Sequence, residues 1–234
     1  MANESKKYKI GNYTFSVLPF TIMGNGKIEN QDSYKIYFDD EQLIVVVADG
    51  LGSAAYSKEG SNKIVEVATE VLAETNDYDC VPSLILQKWK DGIVGNLNQY
   101  DTTIKFIKIK SEKIVFGGVG DGWIAINNKD DFISLTADNT FSNQTDSILS
   151  FDLSKKFVIG EAELISEFDA LISTDGFSED MDKPNGDEML RQIHDEVILD
   201  ETKFINEMSE TLENWPVETN KDDKTVVFIV CKEE

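Results

Sequence analysis

Three apolar runs in this chain stop abruptly at an aspartate followed by glycine. Leu43-Ile44-Val45-Val46-Val47-Ala48 leads into Asp49-Gly50, Ile114 through Gly120 leads into Asp121-Gly122, and Ala170 through Thr174 leads into Asp175-Gly176. A further run is the mirror image, with Asp222-Asp223 standing just before Lys224-Thr225-Val226-Val227-Phe228-Ile229-Val230. Short β-branched runs bounded by turn residues read as buried strands. If those strands share sheets, their ends bring together carboxylates that are far apart in sequence. Clustered carboxylates repel one another unless a cation compensates. Hard divalent ions such as Mg²⁺ and Mn²⁺ prefer such oxygen ligands. Two of them about 3.5–4 Å apart can align a water for in-line attack on phosphorus. A glycine after the acid lets the backbone come close and offers its carbonyl as a ligand. Any one Asp-Gly pair is most simply a turn, so the inference rests on the combination.

Further strand-like runs occur at Tyr13–Pro19, Tyr34–Phe38, Thr103–Lys108, Trp123–Ile126 and Lys156–Ile159. Most connections are short and turn-like, which favours antiparallel neighbours over βαβ units. Helical periodicity predicts helices over Ser57–Glu74, Ser83–Tyr100, Glu188–Leu199 and Thr202–Trp215, the second weakened by Gly92 and Gly95. Long amphipathic helices with many antiparallel strands indicate an α+β layered fold, with helices over the outer sheet faces. No repeat or long linker divides the chain, so residues 1–234 are expected to form one domain.

Composition narrows the partners. With 22 basic against 44 acidic residues the net charge is -22, which disfavours nucleic acid and anionic membranes. Such a surface suits gathering cations or meeting basic partners. The start, Met1-Ala2-Asn3-Glu4-Ser5-Lys6-Lys7, has no apolar signal stretch, and no run is long enough to span a bilayer. Cys80 and Cys231 show neither metal spacing nor a disulfide framework and read as buried thiols in a reducing cytoplasm.

Taken in order, the motifs resemble the metal-dependent protein phosphatase family, PPM or protein phosphatase 2C. The matching elements are Asn30-Gln31-Asp32, Val47-Ala48-Asp49-Gly50-Leu51-Gly52-Ser53, Gly120-Asp121-Gly122, Ser173-Thr174-Asp175-Gly176 and Asp222-Asp223-Lys224-Thr225. Asn143-Gln144-Thr145, taken with Asp49 through Ser53, resembles a compact bacterial branch of it. The resemblance implies a four-layer α-β-β-α sandwich: two antiparallel sheets flanked by helices, with metals at one edge. It implies a serine/threonine protein phosphatase holding two or three Mg²⁺ or Mn²⁺ ions, acting as a monomer on a phosphorylated protein opposite a cognate kinase. It also implies roles: Asp49 bridges two ions, Gly50 gives a carbonyl, and Asp175 and Asp222 complete the first shell. Asp32 holds water or touches the second ion, Asp121 with Asp175 supports a weaker third ion, and Asp223 orients rather than ligates.

Two departures stand out. Where many relatives carry a phosphate-gripping Arg, this chain has Lys27, which supplies charge without a planar fork. Where eukaryotic members carry a proton-donating His, it has Leu51, so the leaving group needs another proton source. These losses motivate an alternative, a catalytically silent phosphatase-like binding module; a small-molecule phosphomonoesterase is the other. His194, the sole histidine, sits in a charged helical block and reads as a surface residue, as does the acidic stretch Glu161, Glu163 and Glu167. Gly24-Asn25-Gly26 lacks the Gly-Lys-Ser/Thr of a phosphate loop and reads as a turn. Ser57 reads as a helix cap rather than a nucleophile.

Overall fold

The computed structural model describes residues 5–128, 131–136, 145–164 and 167–233. Asn143 and Gln144 of the bacterial-branch motif lie outside them. Eleven strands form two sheets among these residues. The first sheet runs β1 (Lys6–Ile10), β2 (Tyr13–Ile22), β11 (Lys224–Glu233), β10 (Asp169–Ser173), β7 (Trp123–Asn128) and β8 (Asp131–Thr136). The second runs β3 (Asp32–Phe38), β4 (Gln42–Asp49), β5 (Ile104–Lys110), β6 (Lys113–Val119) and β9 (Val158–Glu163). Every pairing is antiparallel.

The unbroken apolar runs follow from burial on both faces. Along β4, Leu43, Val45 and Val47 enter the core between the sheets, while Ile44, Val46 and Ala48 pack beneath helices α1 (Ser57–Glu74) and α2 (Val81–Asp91). Strand β11 does the same: Val227, Ile229 and Cys231 face the inter-sheet core, and Val226, Phe228 and Val230 meet α5 (Gly186–Glu213). The result is the expected α-β-β-α sandwich. Each fully buried aliphatic side chain contributes about 1.5–3 kcal/mol. Strands whose two faces are both covered are therefore the most firmly fixed, and these are the strands that end at the acids.

Several expectations need correction. β1 and β8 were not foreseen, because Lys6–Ile10 and Asp131–Thr136 are polar, half-exposed edge strands with little apolar signal. The second helix stops at Asp91, since Gly92 caps it, and Leu97–Gln99 is only a 3-10 turn. The strand expected from Lys156 begins at Val158, because Leu153–Lys156 forms a helical turn, α3. The two C-terminal helices run on as α5, with one non-helical residue between them; Asp200 breaks the ladder and its carboxylate accepts the Lys203 N–H at 3.0 Å. Helix α1 starts at Ser57 itself and Tyr56 takes the cap position, so Ser57 is not the cap. Cys231 is buried but Cys80 is partly exposed, and both thiols are free. His194 is only partly exposed, because its ring pairs with Asp169 at 2.7 Å and pins α5 to β10.

Candidate metal centre

Pairing register sets the acids beside one another. Asp32, the first residue of β3, stands opposite Asp49, the last of β4. Beyond the end of β10, Asp175 opens the short helix α4 (Asp175–Ser178), and Asp222-Asp223 leads directly into β11, the ladder neighbour of β10. Asp121 lies in the turn from β6 to β7, whose Trp123 pairs with Ser173. Four acids therefore converge from segments up to about 190 residues apart, with Asp121 at their side.

Their electrostatics record the convergence. Asp49 is pushed well above the usual carboxylate range, by burial first and then by the charges of Asp32, Asp175 and Asp222. Burial also raises Asp32 to about 7 against the hydrogen bonds that lower it, with Asp223 and Asp175 adding to the rise. Asp175 rises to about 6, again through burial and then through Asp222, Glu179 and Asp121. Asp32 is 2% exposed; one carboxylate oxygen accepts the Thr174 hydroxyl at 2.8 Å and the other, Oδ1, has no partner. An orphaned buried carboxylate oxygen among other acids, in a purely oxygen donor set, fits a hard divalent cation. Among the described residues, no three Asp, Glu, His or Cys side chains have the closed spacing of a metal shell. The acids are neighbours along one edge, and Lys27 is drawn in as counter-charge.

The surrounding contacts hold this edge in place. Asp223, 1% exposed, accepts N–H groups from Gly24 at 2.7 Å and Gln31 at 2.8 Å, fastening the turn that carries Lys27. It is committed to orientation. The Lys27 ammonium bonds Asp222 and, at 3.1 Å, Asp223. Burial disfavours its charge, but the two carboxylates more than offset this and raise its pKa. Gly50 is where α1 starts against the sheet: a Cβ there would lie 2.4 Å from the Ser57 carbonyl oxygen. Asp49 is fixed through its backbone, its N–H reaching Thr103 Oγ1 at 3.0 Å and its carbonyl accepting the Thr102 hydroxyl at 2.7 Å. Beside this edge lies a cleft of about 670 Å³ lined by Lys27, Ile28, Gln31, Gly52, Asn220 and Asp222, among others.

Thr174, whose hydroxyl supports Asp32, and Lys58, whose ammonium bonds the Asp32 carbonyl at 2.6 Å, were not singled out from the sequence. Thr174 had a signal, being adjacent to an acid at a strand end. Lys58 had none, since its helical position is that of any solvated lysine.

Residues 25–215 match the family model described as protein phosphatase 2C. Among solved structures, RsbX in complex with magnesium is similar at 20% identity and a TM-score of 0.65, over 98% of this chain and 100% of that one. The S. agalactiae serine/threonine phosphatase shares 18% identity at a TM-score of 0.67, over 94% and 100%. The catalytic domain of PstP in complex with two manganese ions shares 13% at 0.59, over 94% and 100%. A search of curated protein sequences gave no match. No helix among the described residues is long and apolar enough to cross a membrane.

Proposed function

Because the chain belongs to the protein phosphatase 2C family, we propose that it is a Mg²⁺- or Mn²⁺-dependent phosphatase acting on phosphoserine and phosphothreonine in other proteins. The observation that carries this reading is the convergence of Asp32, Asp49, Asp175 and Asp222 on one sheet edge, with an unpartnered oxygen on Asp32. Asp49 would bridge two ions, Gly50 would add its carbonyl, and Asp175 and Asp222 would complete the shell of the first. Asp32 would orient water or touch the second ion, and Asp121 with Asp175 is where a third would sit. Bound divalent ions would supply an activated water and neutralise charge on the phosphoryl oxygens.

The chain's own side chains do the rest. Asp223 holds the turn of Lys27 so that its ammonium stands at the cleft rim. There it can meet a substrate phosphate as a point charge, at the expense of its ion pair with Asp222. Leu51 offers no proton, so the leaving alkoxide takes one from water. We read residues 1–234 as a single domain working as a cytoplasmic monomer opposite a serine/threonine kinase.

The direct test is hydrolysis of p-nitrophenyl phosphate and of several phosphopeptides in Mn²⁺, with EDTA and Asp49→Ala as controls. Turnover lost in both controls is expected. Turnover that survives them would sink the metal mechanism, and none on any substrate would turn the reading to a silent binding module.

A further inference from the structure

The chain buries two lysines in adjacent strand positions, and only one has an evident structural use. Lys108, 1% exposed, gives its ammonium to the last carbonyls of α1, Leu72 at 2.6 Å and Thr75 at 3.0 Å, and so caps that helix. Lys105, 4% exposed, makes no hydrogen bond or ion pair among the described residues. A desolvated ammonium without a partner is strongly unfavourable unless nearby negative charge compensates.

Register shows where that charge comes from. Ile107 and Ile109 of β5 face the core between the sheets, so Lys105, on the same face, points into it too. Its ladder partners are Val47 and Gly118, which have no charge to offer, and Gly118 leaves the space beside it open. One layer outward on the same face is Thr103, which supports Asp49 and touches the turn at Gly120, next to Asp121. The Lys105 side chain thus lies one residue layer beneath the acid edge. Burial lowers its pKa to about 8; Asp121 is the acid that opposes this, while Lys183 adds to the fall.

Resting on the metal-centre reading above, we propose that Lys105 is a resident cation of this centre. Its ammonium supplies beside Asp121 the positive charge that a third metal ion would otherwise bring, so the edge loads two divalent ions. An ion shared by Asp121 and Asp175 would meet an ammonium that cannot move away into solvent, and like charges in a low-dielectric interior repel strongly. Lys105 is then a positioning residue, holding Asp121 without contacting substrate.

The test counts Mn²⁺ bound per full-length chain, by equilibrium dialysis and calorimetric titration. Wild type should bind two ions. Lys105→Met and Lys105→Gln, checked for native circular dichroism, should each bind a third, weaker ion that Lys105→Met combined with Asp121→Asn loses again. Three ions on wild type would overturn the proposal whatever the variants do, and so would two on a folded Lys105→Met. Wild type binding none, or an Asp49→Asn variant binding as many as wild type, would instead overturn the centre itself and this proposal with it.

Discussion

Asp32 and Asp175 hold protons more tightly in the fold than in an unfolded chain, and that fixes the sign of a pH effect. With folded values raised to about 7 and about 6, the native state binds the extra protons. The stability they support is full below the unfolded carboxylate value and is lost as pH rises through the folded ones. Chelated protein should therefore melt progressively lower between about pH 4 and about pH 7, and saturating Mn²⁺ should reverse the trend at the upper end. Asp49→Asn should raise the melting temperature of chelated protein at pH 8 by about 2–4 °C for each kcal/mol of repulsion relieved, while abolishing the response to Mn²⁺. Thermal scans with EDTA and with Mn²⁺ read both effects, and a flat profile would refute them. Lys27 has two competing attractions, Asp222 and the substrate. Lys27→Met should raise KM for a phosphopeptide about tenfold, equivalent to about 1.4 kcal/mol. It should also tighten Mn²⁺ binding, because Asp222 loses its internal partner; steady-state kinetics and titration separate the two.

At the scale of elements, the site depends on how closely α1 approaches the strand ends. Gly60 sits in its second turn against the segment leading into β5: a Cβ there would lie 1.8 Å from the Tyr100 carbonyl oxygen. The Gly60 carbonyl also accepts the indole N–H of Trp89 at 3.2 Å, tying α2 to α1. Helix propensity favours alanine here, yet overpacking against rigid backbone should win. Gly60→Ala is expected to destabilise the protein by about 1–3 kcal/mol in urea titration. Because α1 begins at Ser57, in contact with Gly50, the variant should also weaken Mn²⁺ binding. Unchanged stability with full metal affinity would show that the helix can slide without disturbing the edge.

For the whole molecule, the charge of -22 governs which substrates arrive. Such a field steers positively charged partners and is screened within about 8 Å at physiological ionic strength. Phosphopeptides flanked by lysine or arginine should show a higher kcat/KM than acidic-flanked ones at low salt. The advantage should shrink several-fold by about 0.5 M salt, as the screening length contracts. Stopped-assay kinetics across a salt series would check this, and a preference independent of salt would locate selectivity in direct contacts instead.

The apolar runs and their terminal acids were legible because hydrophobic periodicity is local: β4 announces itself in Leu43–Ala48, and its end in Asp49. The covered helices were legible for the same reason, down to the break near Asp200. Edge strands β1 and β8 were not, since a strand with one ladder neighbour and a wet face carries little apolar pattern. What only the tertiary structure decided was proximity and desolvation. Register set Asp32 against Asp49; the packing of two sheets spent Asp223 on the Lys27 turn and buried Lys105 under the acids. A lysine in an alternating strand looks alike in sequence whether water or protein covers it. The free energy of its charge depends on what lies across the core, and that neighbour is contributed by residues far along the chain.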